Sequence, residues 1–400
     1  MTRHFAQRMQ HVQLSAVDEL LMLGSKPGVI AFGGGYPDAS LFPYDQLHMA
    51  AQTAILENGA TALQYSVPIG TPELRTQIAQ HMTAHGTACG MDDVLVLHGG
   101  QQGIDLVAKL LIDPGDVIIT ENPTFVGALI AFNAYEPRYV GVAMDDDGMD
   151  MDALEHALKH NTNVKLIYTM PDFHNPTGVT MSLARRQQLI ALANSYDVMI
   201  LEDTPYRSIR FEGVDLPTLK SLDTQGRVIY LGSFSKILAP GLRLGWAVAA
   251  PDIMHKLGLL KIAVDTQCST LNMAIASLFM ANYDLDAHIQ RLRQHYRHKR
   301  NIMLDTMRET FPASMTWTHP QGGLFTWVTF PQQVDATAFM RDEMLPKAAV
   351  AYVPGATFFP VTPQHNYARM NYSSQPEALI VRGVTALGQL LHQYLVKTSP

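Results

Sequence analysis

Cysteine is nearly absent from the 400-residue sequence, which holds only Cys89 and Cys268, far apart in the chain. Two distant thiols exclude a disulfide framework and a thiolate metal centre; they fit a reducing compartment, so a cytoplasmic setting is expected. Charge is scarce as well, at 16% of residues against roughly 25% in an average soluble chain, while 47% are hydrophobic. With so little charge to cover a surface, part of it is expected to lie between subunits. Positive charge has no excess: 29 Lys and Arg face 36 Asp and Glu, a net charge of −7, which argues against nucleic acid and anionic lipid as partners. No stretch approaches the roughly 18 apolar residues of a membrane span, and the N-terminal residues lack the apolar core of a secretory signal. The 16 histidines are scattered, and the densest group, His295 and His298, sits among cations in RLRQHYRHKR and reads as solvated helix face. Repeats and long linkers are missing too. At about 150 residues per domain, two or three domains must therefore interleave.

What is present is a series of short apolar runs rich in Val and Ile: DVLVLHGG (93–100), GDVIITENP (115–123), NVKLIYTMPDFHNP (163–176), YDVMILED (196–203) and RVIYLGSFSK (227–236). They read as buried parallel strands. Helix-length stretches lie between them, among them QGIDLVAKLLI (102–112) and SLARRQQLIALANS (182–195), the latter opening on Ser182 as N-cap. Alternation of this kind predicts an α/β fold with a mostly parallel wound sheet. After about residue 290 a long polar helix, strand-like GGLFTWVTF, a helix around 336–344 and strand-like ARMNYSS predict a smaller α+β domain, with the N-terminal arm packed on it. The boundaries expected are 46–289 for the large domain and 1–45 with 290–400 for the small one. Ligands of wound sheets bind beyond the carboxyl ends of the strands, so chemistry is sought there.

Lys236 follows a strand in SFSKILAPGLRLGW, with Ser233 and Ser235 before it and Arg243 seven residues after. A desolvated lysine is a candidate imine-forming amine, although a lone lysine at a loop start is ordinarily a solvated bystander. Two hydroxyls and a guanidinium around it can hold a phosphate dianion. HGGQQG places glycines between a strand and a helix, where free N–H groups and the helix dipole favour an anion, though a tight turn explains them equally. Asp203 ends an apolar strand, three residues before Tyr206, and a buried carboxylate there needs a cationic partner to stay ionised. For an isolated Asp a turn cap is the simpler account, and Asn175 in HNPTG is turn chemistry when taken alone.

Taken together, GGQQG, PTF, NPTG, DxPY, SFSK, PGLRLGW, GGLFxW, VPG and ARMNYS resemble, in order and spacing, the fold type I pyridoxal-phosphate aminotransferases of class I/II. The similarity is strongest to the branch holding 2-aminoadipate and kynurenine aminotransferases and the catalytic-type domains of MocR-like regulators, and it runs from about residue 14 to 395. It implies pyridoxal 5'-phosphate as cofactor, with Lys236 as imine-forming lysine and proton shuttle, and Asp203 as partner of the pyridinium nitrogen. It also implies Asn175 and Tyr206 on the ring oxygen, and Gly100, Gln101, Ser233, Ser235 and Arg243 around the phosphate. Tyr65 is implied to reach the phosphate of a neighbouring subunit in a homodimer with composite sites. Arg369 would clamp the substrate carboxylate, and Gly35 and Tyr36 would lie over the substrate, a flexible glycine loop being the rival reading. Phe125 stands where relatives carry a stacking tyrosine, and Gly100 where they carry a serine. The implied reaction moves an amino group from an L-amino acid to a 2-oxo acid by a ping-pong route; a lyase, decarboxylase or epimerase is the alternative on the same fold. A regulator is disfavoured, since only about thirty residues precede FGGGYPD.

Relatives specific for acidic side chains carry an arginine in the segment that matches LSAVDELL, where this sequence has Asp18. A carboxylate there would repel a second substrate carboxylate, which implies neutral aromatic or aliphatic donors; a solvated surface residue is the competing account. Asp18→Arg should raise kcat/KM for glutamate and 2-aminoadipate relative to neutral donors by about ten- to a hundredfold. An unchanged ratio, with cofactor content intact, would decide for the surface residue.

Overall fold

The computed structural model describes residues 4–10 and 28–398. Asp18 lies outside them. An eight-stranded sheet forms the larger layer, built from β2 (Val94–Leu97), β3 (Val117–Asn122), β4 (Arg138–Asp145), β5 (Gly148–Met149), β6 (Val164–Thr169), β7 (Met199–Asp203), β8 (Val228–Ser233) and β9 (Gly245–Val248). The two-residue β1 (Ile30–Ala31) precedes them and pairs elsewhere. Spatial order is β2-β9-β8-β7-β6-β3-β4-β5. The pairs between β8 and β7, β7 and β6, β6 and β3, and β3 and β4 are parallel, whereas β9 runs antiparallel to both its neighbours.

Among the described residues, the helices of eight residues or more are α1 (Tyr44–Leu56), α2 (Pro72–Ala84), α3 (Gly100–Leu111), α4 (Val126–Asn133), α5 (Met151–His160), α6 (Leu183–Tyr196), α7 (Pro251–Asp265), α8 (Thr270–Asn282), α9 (Leu285–Thr310) and α10 (Glu377–Thr398). Strand side chains alternate between faces, and both faces are covered. Val117, Ile119, Ile167, Ile200 and Val228 join one core cluster with Leu154 of α5 and Leu189 of α6. Their neighbours Ile118, Leu166, Leu201 and Ile229 join the other, with Ile104 of α3 and Phe132 of α4. Double burial is what gives these strands their unbroken apolar spelling. The five predicted strands all form, as do the helices over 102–112 and 182–195. Ser182 does take the N-cap position of α6, but its side chain makes no cap bond.

A second layer holds a four-stranded antiparallel sheet, in order β10 (Thr316–Trp317), β11 (Phe325–Thr329), β14 (Tyr367–Asn371), β13 (Val353–Pro354). β1 pairs parallel with β12 (Val350–Ala351), and Phe32 O accepts from Asn371 N at 2.8 Å, which threads the segment after β1 between the layers. The expected helix at 336–344 is α-helical only from Ala336 to Phe339 and then widens into a π turn over Met340–Met344. Pro346, just beyond, has no N–H and crowds the carbonyl four residues back, which accounts for the wider turn. His298 is exposed as predicted, but His295 is only partly so: its Nε2 lies 2.9 Å from the Asp38 carboxylate.

The loop after β6 is anchored by charge. Asp172, fully buried, meets Arg186 at 2.8 Å, Arg207 at 2.9 Å and Arg210 at 3.5 Å. Burial alone would raise its carboxyl, but Arg186 and Arg207 outweigh that and hold it down to about 2. A depressed folded value contributes stability that is complete above the ordinary carboxylate range and fades as pH falls toward 2. Asp172→Ala should leave buried guanidinium groups uncompensated and cost about 3–5 kcal/mol, read as a lower melting temperature at neutral pH.

Candidate active site

The carboxyl ends of several strands of the large sheet converge at a single place with β14 of the second layer and the segment after β1. β8 ends at Ser233, and the turn that follows carries Ser235 and Lys236, with Ser235 N donating to Ser233 Oγ at 3.1 Å. Lys236 Nζ donates to Gly35 O at 2.8 Å and lies 6.0 Å from the centre of the Tyr206 ring. Burial, then the positive charges of Arg243 and Arg369, pull the lysine down to about 8. It is therefore an amine that exchanges its proton near neutral pH.

Asp203 ends β7, only 4% exposed. Tyr168 Oη donates to it at 2.8 Å, and no cation pairs with it among the described residues. Burial pushes its carboxyl up to about 7; the Tyr168 hydrogen bond works against this and the charge of Glu121 adds to it. Arg369 on β14 is the converse, a buried guanidinium with no carboxylate partner among the described residues. Its Nη1 donates to Asn175 Oδ1 at 2.8 Å and its Nη2 to Gly33 O at 2.6 Å, while Nε has no partner. Phe325 lies 4.2 Å and Phe358 5.0 Å beneath it. Burial lowers its value to about 10, against the pull of Tyr206. Tyr206 shares a side-chain hydrogen bond with Asn175, and burial raises its phenol.

On the facing side, α3 begins after Gly99, whose φ of +79° belongs to the left-handed region. A Cβ there would come within 2.9 Å of Arg243 Nη2, and one on Gly245 within 3.0 Å of Gly99 itself, so both positions favour glycine. The helix start, the serine turn and Arg243 thereby share one corner. Gln101 Nε2 donates to Gly127 O at 2.6 Å, and a Cβ on Gly127 would strike the Phe125 ring at 2.4 Å.

The family model for aminotransferase class I and II matches residues 34–387. This chain belongs to that family. It is 38% identical to aromatic-amino-acid aminotransferase 1 of Thermococcus litoralis, covering 99% of this chain and 95% of that protein. It is 34% identical to 2-aminoadipate transaminase of Thermus thermophilus, covering 97% and 96%. Its structure superposes on a kynurenine aminotransferase of Pyrococcus horikoshii, crystallised with PMP, with a TM-score of 0.93 at 35% identity over 98% and 97% of the two chains. The enzyme is a pyridoxal-phosphate-dependent aminotransferase of fold type I, as the motif order implies.

Of the residues singled out in the sequence, the aminotransferase structure gathers Lys236, Asp203, Tyr206, Asn175, Arg369, Ser233, Ser235, Arg243, Gly100 and Gly35. Gln101 and Phe125 meet at Gly127 beside them. Two are not gathered within one chain. Tyr65 is 82% exposed, and Tyr36 is exposed with its ring over Gly34, only its carbonyl being engaged, by Ser373 Oγ at 2.6 Å. Sequence reasoning missed Tyr168, Gly33 and the rings of Phe325 and Phe358. Phe325 stood inside the GGLFxW motif, whereas Tyr168 looks like any strand residue.

A folded-state value raised above the unfolded one means that Asp203 contributes stability at low pH that is lost as pH climbs through about 7. The cofactor-free Asp203→Asn variant should therefore be more stable than cofactor-free wild type above pH 7, by about 1–3 kcal/mol, and no more stable near pH 4. Thermal melts at the two pH values check this.

Proposed function

We propose that this aminotransferase takes the α-amino group of a neutral L-amino acid, aromatic or aliphatic, and passes it to a 2-oxo acid. The observation that carries the reading is the pair of buried groups, Asp203 and Arg369, each without a counter-ion among the described residues, with a lysine of lowered pKa between the two layers that hold them. A protonated ring nitrogen and a substrate carboxylate are the two ions that would neutralise them. Pyridoxal phosphate, when bound, supplies the electron sink that makes the substrate Cα–H acidic. Lys236 Nζ would accept the proton lost from Cα and hold it for delivery on the cofactor side, a task suited to an amine near neutrality. Asp203 keeps the ring nitrogen protonated, and Asn175 and Tyr206 donate to the ring oxygen. Gly100, Gln101, Ser233, Ser235 and Arg243 would hold the phosphate, consistent with two glycines, Gly99 and Gly100, at the entry to α3. Phe125 would stack on the ring, Arg369 would clamp the α-carboxylate, and the segment of Gly35 and Tyr36 would lie over the substrate. The apolar lining by Phe325 and Phe358, and the names of the aromatic and kynurenine relatives, favour neutral donors.

Residues 46–289 would form the cofactor domain, with 1–45 and 290–400 forming the smaller one. We also propose a homodimer in which Tyr65 serves the neighbouring site. An exposed apolar surface around Tyr65, Leu56, Leu63 and Val67 continues through Ile69, whose Cγ2 would touch a Cβ on Gly258, to Leu259 and Ile262 on α7. Such a continuous patch is what a subunit contact would cover. The two unpaired cysteines suit a cytoplasmic setting.

Single L-amino acids added to the holoenzyme without any oxo acid should convert the cofactor to its amino form, seen in the visible spectrum, faster for aromatic and aliphatic donors than for glutamate. Release of CO2 or ammonia, or racemised donor, in place of this half-reaction would overturn the reading. Arg369→Leu should lower kcat/KM by about 30-fold or more, the cost of an unpaired carboxylate in a desolvated site.

A further inference from the structure

Away from the catalytic corner, α2 presents two histidines one turn apart. His81 and His85 have ring centres 4.3 Å apart, and both face the carboxylate of Asp286 in the first turn of α9. His85 Nε2 lies 3.4 Å and His81 Nδ1 3.9 Å from the same oxygen, Oδ1. The other nitrogen of His85 settles its tautomer: Nδ1 is 2.8 Å from the His81 carbonyl, which can only accept, so Nδ1 carries the hydrogen. On a neutral ring, Nε2 then turns a lone pair toward a carboxylate oxygen. Two acceptors at that distance call for a positive charge between them. A second proton on His85 would serve that one contact but would leave His81 Nδ1 facing the same oxygen without a role. One cation shared by the three atoms answers both contacts.

The chemistry of the donors narrows the cation. Two imidazole nitrogens one helical turn apart with a carboxylate oxygen suit a borderline divalent ion and not Mg2+ or Ca2+, which demand oxygen shells. With bonds of 2.0–2.2 Å, the edges of a tetrahedral site are roughly 3.3–3.5 Å, so the 3.4 Å separation is already right and the longer one needs a small rotation of the exposed Asp286. The three ligand atoms lie within 4.8 Å of one another. The bond from His85 Nδ1–H to a carbonyl is also the outer-sphere contact that commonly orients a ligating imidazole. We propose that His81, His85 and Asp286 bind one Zn2+-like ion that clips α2 to the start of α9, the helix that runs on into the second layer.

Two other groups of donors fit less well. In His98, Asp265 and Cys268 the carboxylate is already taken by Lys261 at 2.7 Å and Gln102 at 2.6 Å. His156 and His160 on α5 stack at 4.0 Å, but no carboxylate completes a group with them among the described residues.

The test is zinc titration of the untagged holoenzyme by calorimetry, in a His156→Gln background that removes the stacked pair. One equivalent of Zn2+ should bind and raise the melting temperature, while Mg2+ should do neither. His85→Gln and Asp286→Asn, both at accessible side chains, should each weaken binding by on the order of tenfold or more and abolish the thermal shift, with metal-free melting temperatures close to that of the parent. Absence of saturable Zn2+ binding in the parent, or unchanged affinity and thermal shift in both variants, would overturn the assignment. If the variants melt early without metal, His81→Gln, paired with a zinc-binding readout at a temperature where all chains are folded, decides by the same criterion.

Discussion

Desolvation of ionised groups at the strand ends is the constraint around which this molecule is organised. The parallel sheet buries both its faces, so polar side chains can collect only beyond the carboxyl ends of its strands. There Asp203, Lys236 and Arg369 are each far enough from water to be pushed toward neutrality, yet none has a counter-ion among the described residues. At Asp172, by contrast, three arginines compensate the buried charge. The contrast separates charges that hold the scaffold from charges held ready for a cofactor and a substrate.

Both layers are needed for that readiness. The large sheet contributes Asp203 and Lys236, but the guanidinium comes from the antiparallel sheet and the carbonyls facing it from the segment after β1. Gly33 O takes the hydrogen bond of Arg369 and Gly35 O that of Lys236, so a short stretch of backbone links the cation of one layer to the amine of the other. On the role proposed for Arg369, a substrate carboxylate would compete with these bonds. The scaffold bond from Arg369 to Asn175 joins the same centre to the loop that Asp172 secures.

Each predicted strand formed because a doubly buried strand has a spelling of its own, and the runs ending at Asp203 and Ser233 carry it. Strands β4 and β9 escaped notice for the opposite reason. β4 lies near the sheet edge with exposed and half-buried residues, and β9 opens on Gly245, kept small by the approach of Gly99 rather than by any local preference. The widened turn at Met340–Met344 is likewise a response to Pro346 that an apolar period does not register.

Motif order by itself determined the family and the cofactor, since lysine, aspartate, asparagine and arginine at those spacings are chemically hard to replace. Only the tertiary structure decided which groups lie beside them. Tyr168, Gly33 and Phe358 act through position, and a tyrosine, a carbonyl or a phenylalanine bears no mark in sequence of the neighbour it will meet. The same holds for His81, His85 and Asp286, about two hundred residues apart in the chain. Local sequence records which chemistry a residue can offer, whereas proximity, burial and the missing counter-ion arise from the packing of distant segments, and these set the charge state on which the chemistry depends.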